Sequence, residues 1–295
     1  MTELRETLGI DLGGTNIRAA RISNNGTVLA RITHKVPRGR AAQLQIIHEC
    51  VQQLLTPEIL GIGLGFPGRV RISDGHLLSA GYLELDDVPL GNLLRAATGL
   101  PVIVDNDAYM ATFAEMCVGA AVSRQNVVTF TIGTGIGGAI AIGGDLFYGS
   151  GIAGHVGHLT IKADGPICNC GRKGCIETLS SGTALNRLIA DHGLPVATRI
   201  EDLLMMQAEG KQIAQSILRE WISPLKCAID SMIAALGPDI VLLGGGLGQS
   251  AAETLSRFPD LTSSSWFDCP VVPCSLGDSA GVIGAGLRVF HQIDR

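Results

Sequence analysis

The chain has 295 residues and a formal net charge of −5 at pH 7, and 46% of its residues are hydrophobic while only 17% are charged. This length and composition predict about two globular domains with sizeable cores, and the lack of lysine- or arginine-rich runs argues against nucleic acid as a partner. No apolar run is long enough to span a membrane and the first residues do not form a signal peptide, so we expect a cytoplasmic protein without membrane contact.

The chain begins with a predicted strand pair that encloses a glycine turn. Residues 8–22 read L-G-I-D-L-G-G-T-N-I-R-A-A-R-I, and Asn24-Asn25-Gly26 then joins them to a second β-like run, a strong hairpin signal. Glycine N–H groups and a threonine hydroxyl in the first turn suit a phosphate, and a nearby aspartate suits a hydrated metal ion; these residues are Asp11, Gly13, Gly14 and Thr15. A plain hairpin would have the same turn, so the motif alone leaves both interpretations open.

A helix, a strand and a second helix follow. Apolar residues at helical spacing predict a helix over 43–55, and residues 59–66 form an apolar strand that ends at Pro67-Gly68. Gly65 to Gly68 would let a ligand approach the backbone, although a strand-ending turn also explains these residues. Residues 90–97 are predicted to form a short helix.

Three polar residues, Asp105, Asn106 and Asp107, end the next apolar strand and precede a helix predicted over 108–118. Capping of the helix N-terminus requires one such side chain, and this is the structural interpretation. Ligands of α/β folds collect at the carboxyl ends of strands, and this is the functional interpretation. Because a cap does not require all three residues, we expect at least one of them to have a functional role.

A second glycine turn lies within residues 127–142, between two predicted strands. It repeats the design of the turn at Gly13-Gly14-Thr15-Asn16 about 120 residues earlier, which suggests a duplicated α/β domain. Each half would then offer one glycine turn to the same phosphate chain. The residues of the second turn that we expect to contact phosphate are Gly133, Thr134, Gly135 and Gly137.

The densest chemical signal is a cysteine-rich segment that begins ten residues after a histidine on a predicted short strand. Three thiolates and one imidazole form a tetrahedral donor set for structural Zn²⁺, here His158, Cys168, Cys170 and Cys175. Gly171 and Gly174 supply the positive φ that a tight metal knuckle needs. A cysteine-rich turn or a disulfide are the alternatives, although a Cys168–Cys170 bridge would be strained. The five other cysteines are predicted to be core thiols in a reducing compartment.

The remaining third of the chain is mainly helical, with one further glycine loop. Residues 182–221 are predicted mostly helical, and Ser223 to Leu236 continues as an apolar helix. A buried strand over 239–243 runs into a loop that opens a helix, and the loop glycines, Gly244, Gly245 and Gly246, suit contact with a purine ring or a plain turn. A last helix, 279–290, is rich in glycine and alanine and suits close packing.

Taken together, the motifs resemble those of the ROK family of sugar kinases and sugar-responsive repressors. The resemblance rests on D-L-G-G-T-N, V-D-N-D-A, T-I-G-T-G-I-G-G, G-H-V-G-H and C-N-C-G-R-K-G-C-I-E in this order, and it covers nearly the whole chain. It implies an actin-like ATPase (ribonuclease-H-like) fold with two α/β lobes around a nucleotide and sugar cleft. The implied domains are 1–118, joined by a C-terminal helix at about 279–295, and 119–278 with the zinc knuckle.

The resemblance also implies roles for individual residues. The two glycine turns correspond to the family's phosphate-binding turns for ATP with Mg²⁺, and Gly244 to Gly246 corresponds to its adenosine loop. Asp107 corresponds to the catalytic aspartate, which accepts the proton of the attacking hydroxyl. The expected sugar contacts are Gly65, Asn106, Asp107, His155, His158 through the ring nitrogen not bound to zinc, and Glu177.

Two departures from the family pattern bear on the sugar. Most of the family has glutamate at the position of His155, whereas the bacterial N-acetylmannosamine kinases, whose cysteine segment is also similar, have histidine there. A carboxylate accepts two hydroxyl donors, while a neutral imidazole accepts one and donates one, so the substrate should differ from glucose near this position. The second departure is Gly81-Tyr82, where many relatives have Pro-Asn.

The implied reaction is therefore ATP-dependent phosphorylation of a sugar hydroxyl, with the 6-hydroxyl of N-acetylmannosamine as the leading acceptor and glucose or another hexose as the alternative. A sugar-sensing regulator without catalysis is the second alternative, but a sensor does not need a base such as Asp107. The family's repressors have a DNA-binding domain before the first glycine turn, and only about ten residues precede it here, which favours a kinase. Relatives often dimerise, so we expect a homodimer.

Overall fold

The computed structural model describes residues 5–79, 83–262 and 268–294 of the chain. It divides into two compact units, which are Met1–Ser123 together with Ser275–Arg295 (the first unit) and Arg124–Cys274 (the second unit). Among the described helices, none is long and apolar enough to cross a membrane.

The first unit is built around a five-stranded sheet. Its elements in chain order are β1 (Glu6–Leu12), β2 (Asn16–Ser23), β3 (Val28–Lys35), α1 (Arg40–Leu54), β4 (Ile59–Phe66), β5 (Arg69–Arg71), β6 (His76–Ser79), α2 (Leu90–Thr98), β7 (Val102–Asn106) and α3 (Asp107–Val118). The sheet order is β3-β2-β1-β4-β7, with β1, β4 and β7 parallel and β1, β2 and β3 antiparallel. β1 is buried along nearly its whole length, as expected of a central strand covered on both faces, whereas β3 alternates between half-buried and exposed residues at the sheet edge.

The second unit repeats this arrangement. Its elements are β8 (Val127–Ile132), β9 (Ile136–Ile142), β10 (Asp145–Leu146), a 3₁₀ turn (Val156–His158), α4 (Glu177–Ser180), α5 (Gly182–Asp191), α6 (Ile200–Ala208), α7 (Gln212–Leu236), β11 (Ile240–Gly244), α8 (Gly248–Ser256), α9 (Pro259–Thr262) and β12 (Val271–Pro273). The sheet order is β10-β9-β8-β11-β12, with β8, β11 and β12 parallel. Each unit therefore places a glycine turn between its first two strands.

The chain returns to the first unit through a short segment and the final helix, α10 (Ala280–Ile293). Glu115 on α3 is fully buried, and its Oε1 accepts hydrogen bonds from the backbone N–H groups of Ser275 and Leu276, both at 2.9 Å. α10 lies directly on the sheet, because a Cβ at Gly9 or Gly63 would be only about 2 Å from its carbonyl oxygens. The glycine- and alanine-rich sequence of α10 thus serves the close packing that the sequence predicted.

The structure corrects two local predictions. His158 ends a 3₁₀ turn and is not on a strand; within this turn Gly157 packs so close to Ile136 that a Cβ would lie 1.8 Å from its carbonyl oxygen. The predicted continuation of the helix past Trp221 is confirmed, since α7 runs through Pro224 as one helix of 25 residues, and buried residues on both sides of the proline offset its cost of about 3 kcal/mol. Cys117 and Cys227, which were predicted to be core thiols, are exposed.

Candidate active site

The carboxyl edge of the first unit's sheet gathers the polar residues predicted to act. The parallel register places Asp11 on β1 beside Gly65 on β4, and Gly65 beside Asp105 on β7. β7 ends at Asn106, and α3 begins at the following residue, Asp107. A Cβ on Gly65 would lie 3.4 Å from the Cα of Asp107, so these residues lie side by side. This edge is where α/β folds bind their ligands.

The three residues of the Asp105-Asn106-Asp107 segment have different roles. Asn106 is the N-cap of α3: its Oδ1 accepts from the Ala108 N–H at 3.0 Å, and its Nδ2 donates to the carbonyl of Gly68 at 3.2 Å. Asp105 is buried and accepts from the Asn106 N–H at 2.7 Å. Capping and turn formation thus account for Asn106 and Asp105. Asp107 is the first residue of α3, and its Oδ1 also accepts from the Ala108 N–H at 2.9 Å.

Asp107 is the group on this edge with the electrostatics of a base. Burial raises the pKa of Asp107 to about 7, and the negative charge of Asp11 adds to the effect. Burial also raises the pKa of Asp11, while Arg18, whose Nη1 lies 3.4 Å from Asp11 Oδ2, opposes that rise. A base with a pKa near neutrality is well matched to proton transfer. Two buried carboxylates, one of which raises the pKa of the other, also suit a divalent cation.

The first glycine turn follows Asp11 directly. The Gly13 N–H donates to the carbonyl of Asn16 at 2.9 Å, and the carbonyl of Thr15 accepts from the Val36 N–H at 3.0 Å. Gly14 and Thr15 are exposed at the tip of the turn. The turn therefore presents backbone and hydroxyl donors next to the carboxylate edge.

The second glycine turn borders a groove of about 580 Å³ in the second unit, within the size range of small-ligand sites. The groove is lined by the second glycine turn, the third glycine loop, α5 and the segment after α5, and the lining residues are Gly133, Thr134, Gly182, Thr183, Leu185, Asn186, residues 196–201, Gly246 and Leu247. Gly245 has a φ of 75° and approaches β8 so closely that a Cβ would lie 2.5 Å from the carbonyl oxygen of Ile132. Gly244 ends β11 and packs against Cys274.

The predicted zinc ligands come together in the second unit. The ligand atoms of His158, Cys168, Cys170 and Cys175 all lie within 4.8 Å of one another. The sulfurs of Cys170 and Cys175 are 3.6 Å apart, and Cys168 Sγ is 3.6 Å from His158 Nδ1. Tetrahedral zinc with bonds of about 2.3 Å requires sulfurs about 3.8 Å apart, whereas a disulfide requires about 2 Å, so the spacing fits a metal.

The knuckle around these ligands is shaped by glycine and arginine. Gly171 and Gly174 have φ values of 84° and 66°, as predicted, and a Cβ at Gly174 would lie 1.6 Å from the carbonyl oxygen of Lys162. Hydrogen bonds from the Arg172 backbone and guanidinium lower the pKa of Cys170 to about 7. A thiol that ionises near neutrality is a good zinc ligand.

The expected sugar residues of the second unit lie beside this knuckle. Glu177 begins α4, and its Oε2 accepts from the Ile136 N–H in the second glycine turn at 3.0 Å. Its Oε1 is 3.9 Å from Cys168 Sγ, so Glu177 connects the cysteine knuckle to the glycine turn. The rings of His155 and His158 are nearly parallel with centroids 6.5 Å apart, and His158 directs Nδ1 toward Cys168.

Sequence reasoning missed two features of these sites. Arg18 is paired with Asp11 across the first hairpin, and the two-residue turn in D-L-G-G-T-N-I-R already implied this cross-strand pair. The first turn of α5 binds the second glycine turn, and no local sequence pattern indicates that contact. The Gly81-Tyr82 departure lies outside the described residues.

Comparison with known proteins places these features in a family. The sequence profile of the ROK family matches residues 7–291. The chain belongs to the ROK family. This ROK chain is 33% identical to an N-acetylmannosamine kinase of Vibrio cholerae, with 96% of the chain and 98% of the relative covered. It is 31% identical to a glucokinase of Halalkalibacterium halodurans, with 97% and 95% covered.

The fold of this chain is also similar to that of a solved structure. The ROK hexokinase from Thermus thermophilus superposes with a TM-score of 0.85 at 29% identity, covering 98% of this chain and 99% of the other. The family and the actin-like ATPase fold predicted from sequence are therefore confirmed.

Proposed function

We propose that this ROK protein transfers the γ-phosphoryl group of ATP to a sugar hydroxyl, with Asp107 as the general base. The prediction of a sugar kinase is confirmed at the level of enzyme class by family membership and by the relatives' names. The observation that supports the catalytic assignment is the position of Asp107 beside Asp11, with a pKa raised to about 7. Phosphoryl transfer requires positioning, charge neutralisation and a proton acceptor, and this edge offers the last two.

The chemistry of the proposed step is simple. Ionised Asp107 accepts the proton of the sugar hydroxyl while the hydroxyl oxygen forms a bond to the γ-phosphorus of ATP. The bond between the γ-phosphorus and the bridging oxygen of the β-phosphate breaks, and ADP leaves. Asp11 would hold the hydrated Mg²⁺ that accompanies ATP and offsets the phosphate charge. Arg18 Nη1, 3.4 Å from Asp11 Oδ2, opposes the rise that burial causes in the pKa of Asp11 and so favours its ionised form.

The adenosine part of the donor is proposed to bind in the groove of the second unit. The groove's position between Gly133-Thr134 and Gly246 supports this, with the phosphates toward the second glycine turn. In the first unit, Gly13, Gly14 and Thr15 are proposed to offer phosphate donors of their own.

The acceptor is proposed to be N-acetylmannosamine, phosphorylated at its 6-hydroxyl. The support is His155, since an imidazole offers one donor and one acceptor where a carboxylate would offer two acceptors. His158 Nε2 and the Glu177 carboxylate would contact other hydroxyls, and Asn106 and Gly65 would line the edge beside Asp107. Relatives named as glucokinases are nearly as similar, so glucose is the competing acceptor. A catalytically silent regulator is less consistent with the environment of Asp107.

Structural Zn²⁺ is proposed for the knuckle because the donor set and the spacing of its atoms fit a closed tetrahedral site. His158, Cys168, Cys170 and Cys175 would hold the ion, which would fix the knuckle and so the positions of His158 and Glu177. We also propose that the protein is a cytoplasmic homodimer, which light scattering of the purified chain would test.

A coupled assay of ADP release tests the reaction and the acceptor together. Wild-type protein would be assayed with ATP and Mg²⁺ against N-acetylmannosamine, N-acetylglucosamine, glucose and mannose. The proposal predicts the highest kcat/KM for N-acetylmannosamine. A higher value for glucose would replace the acceptor but keep the kinase, whereas no ADP release with any sugar, together with sugar binding, would support the regulator.

A further inference from the structure

The second glycine turn is held by the first turn of α5, whose Gly182 and Thr183 line the same groove as Gly133 and Thr134. The Gly182 N–H donates to the carbonyl of Gly133 at 2.8 Å, and Thr183 Oγ1 donates to the carbonyl of Thr134 at 2.8 Å. The carbonyl of Gly133 and the N–H of Thr134 belong to the same peptide group, and so do the carbonyl of Thr134 and the N–H of Gly135. In a planar trans peptide the N–H points opposite to the carbonyl. Because both carbonyls accept from α5, the N–H groups of Thr134 and Gly135 point away from these α5 donors, and the first turn of α5 sets their direction.

The first turn of α5 is in turn fixed by a buried tryptophan. Ser181 is the N-cap of α5, and its side chain accepts from the Ala184 N–H at 3.2 Å. The indole Nε1–H of Trp221, on α7, donates to the carbonyl of Ser181 at 3.1 Å. In return, Ser180 Oγ donates to the carbonyl of Trp221 at 2.7 Å. Ser180, Ser181 and Trp221 are all essentially inaccessible to solvent.

The indole ring of Trp221 fills the core of the second unit. Filling the core alone does not require the indole N–H to donate to the carbonyl of Ser181. The indole N–H contacts the residue directly before Gly182, and the reciprocal bond from Ser180 fixes the same two segments in both directions. Both bonds are shielded from water, where loss of one partner is costly. The result is a rigid connection from α7 to the turn that faces the groove.

We propose that Trp221 is a positioning residue for the phosphoryl donor, because through Ser180 and Ser181 it fixes the turn of α5 that orients the Thr134 and Gly135 amides toward a nucleotide's phosphates. This inference rests on the proposed kinase function. It assigns to Trp221 a larger role in phosphate binding than in binding of the adenosine part, although Gly182 and Thr183 line the groove as well.

Titration calorimetry with the full chain tests the assignment, with ATP and adenosine as probes. Trp221→Phe keeps a large aromatic ring but removes the donor. The expected loss is about three- to tenfold in ATP affinity, the size of one hydrogen bond, with adenosine affinity within about twofold of wild type. Ile217→Val is the matched control, since it trims a fully buried apolar side chain of the same helix and should leave both affinities near wild type.

The outcomes separate this inference from the function on which it rests. Wild-type protein that does not bind ATP would overturn the kinase proposal and this inference with it. Wild-type protein that binds ATP, together with Trp221→Phe that binds ATP equally well or loses ATP and adenosine in the same proportion, would overturn this inference alone. If Trp221→Phe does not fold, Ser180→Ala removes the reciprocal bond, and the same ATP-selective loss supports the inference while an equal loss or none overturns it.

Discussion

The two units share a strand order but differ in what surrounds their glycine turns. In the first unit, the turn lies next to a carboxylate edge, where burial and the negative charge of Asp11 raise the pKa of Asp107, and Arg18 opposes the rise that burial causes in the pKa of Asp11. In the second unit, the corresponding turn is held by α5 and by Glu177. The repeated scaffold therefore carries different groups in its two copies. The first copy has ionisable groups beside its glycine turn, and the second has a turn held by hydrogen bonds and a cluster of His158 with three cysteines.

The largest expected effect comes from removing the base in the first unit. Asp107→Asn keeps the size of the side chain but cannot accept the proton, so turnover should fall by roughly two to four orders of magnitude, with sugar affinity little changed. Steady-state kinetics and sugar titration measure both quantities. Retention of more than about a tenth of wild-type turnover would show that Asp107 is not the base.

The dependence of Tm on pH is a control that shows whether Asp107→Asn is correctly folded. Because the folded state raises the Asp107 pKa from an ordinary value of about 4 to about 7, wild-type stability is lost as pH rises through this window. Above it, Asp107→Asn should have a higher Tm than wild type, and below about pH 4 the two should agree. A variant that is inactive and less stable at every pH would indicate misfolding instead of loss of the base.

The next largest effect should come from a substitution in the cysteine knuckle of the second unit. Cys170→Ser should remove most of the zinc, and sugar affinity should weaken because His158 and Glu177 lose their frame. Cys227→Ser is the matched control, since Cys227 is an exposed cysteine outside the cluster. Elemental analysis of wild type should find close to one zinc per chain. An active wild-type preparation free of metal would exclude the zinc site.

A steric test compares two glycines of the same turn in the second unit. A Cβ on Gly135 would lie 2.4 Å from Glu177 Oε2, whereas a Cβ on Gly133 would meet nothing within 4 Å. Gly135→Ala should therefore displace Glu177 and raise the sugar KM by about tenfold, while Gly133→Ala should have a much smaller effect. Equal effects of the two variants would mean that the Glu177 contact does not position the site.

The smallest effect concerns the choice of sugar. His155→Ala should raise the KM for the best substrate before it lowers kcat, which is the mark of lost ground-state binding. His155→Glu should shift the ratio of kcat/KM values toward glucose relative to N-acetylmannosamine. An unchanged ratio with reduced stability would assign His155 a structural role beside the knuckle.

Features encoded by short motifs could be predicted from the sequence, and features that depend on packing could not. The glycine turns, the Asp107 edge and the cluster of His158 with three cysteines each follow from residue types at fixed spacing. The 3₁₀ turn at His158 depends on the contact of Gly157 with Ile136, about twenty residues away, which outweighs local propensity. The Trp221 connection to α5 joins residues about forty positions apart, and neither periodicity nor a local motif indicates it.

The central claim is that an aspartate with a raised pKa in the first unit accepts the substrate proton. The dependence of kcat/KM on pH, measured with saturating ATP and Mg²⁺ and limiting sugar, tests it most directly. Only ionised Asp107 is active, so kcat/KM should be constant in mildly alkaline buffer and fall about tenfold per pH unit below an apparent pKa near 7. Binding of the cation at Asp11 would move that pKa downward by offsetting the negative charge. A profile that stays flat from alkaline buffer down to about pH 4, the ordinary pKa of an exposed aspartate, would contradict the account.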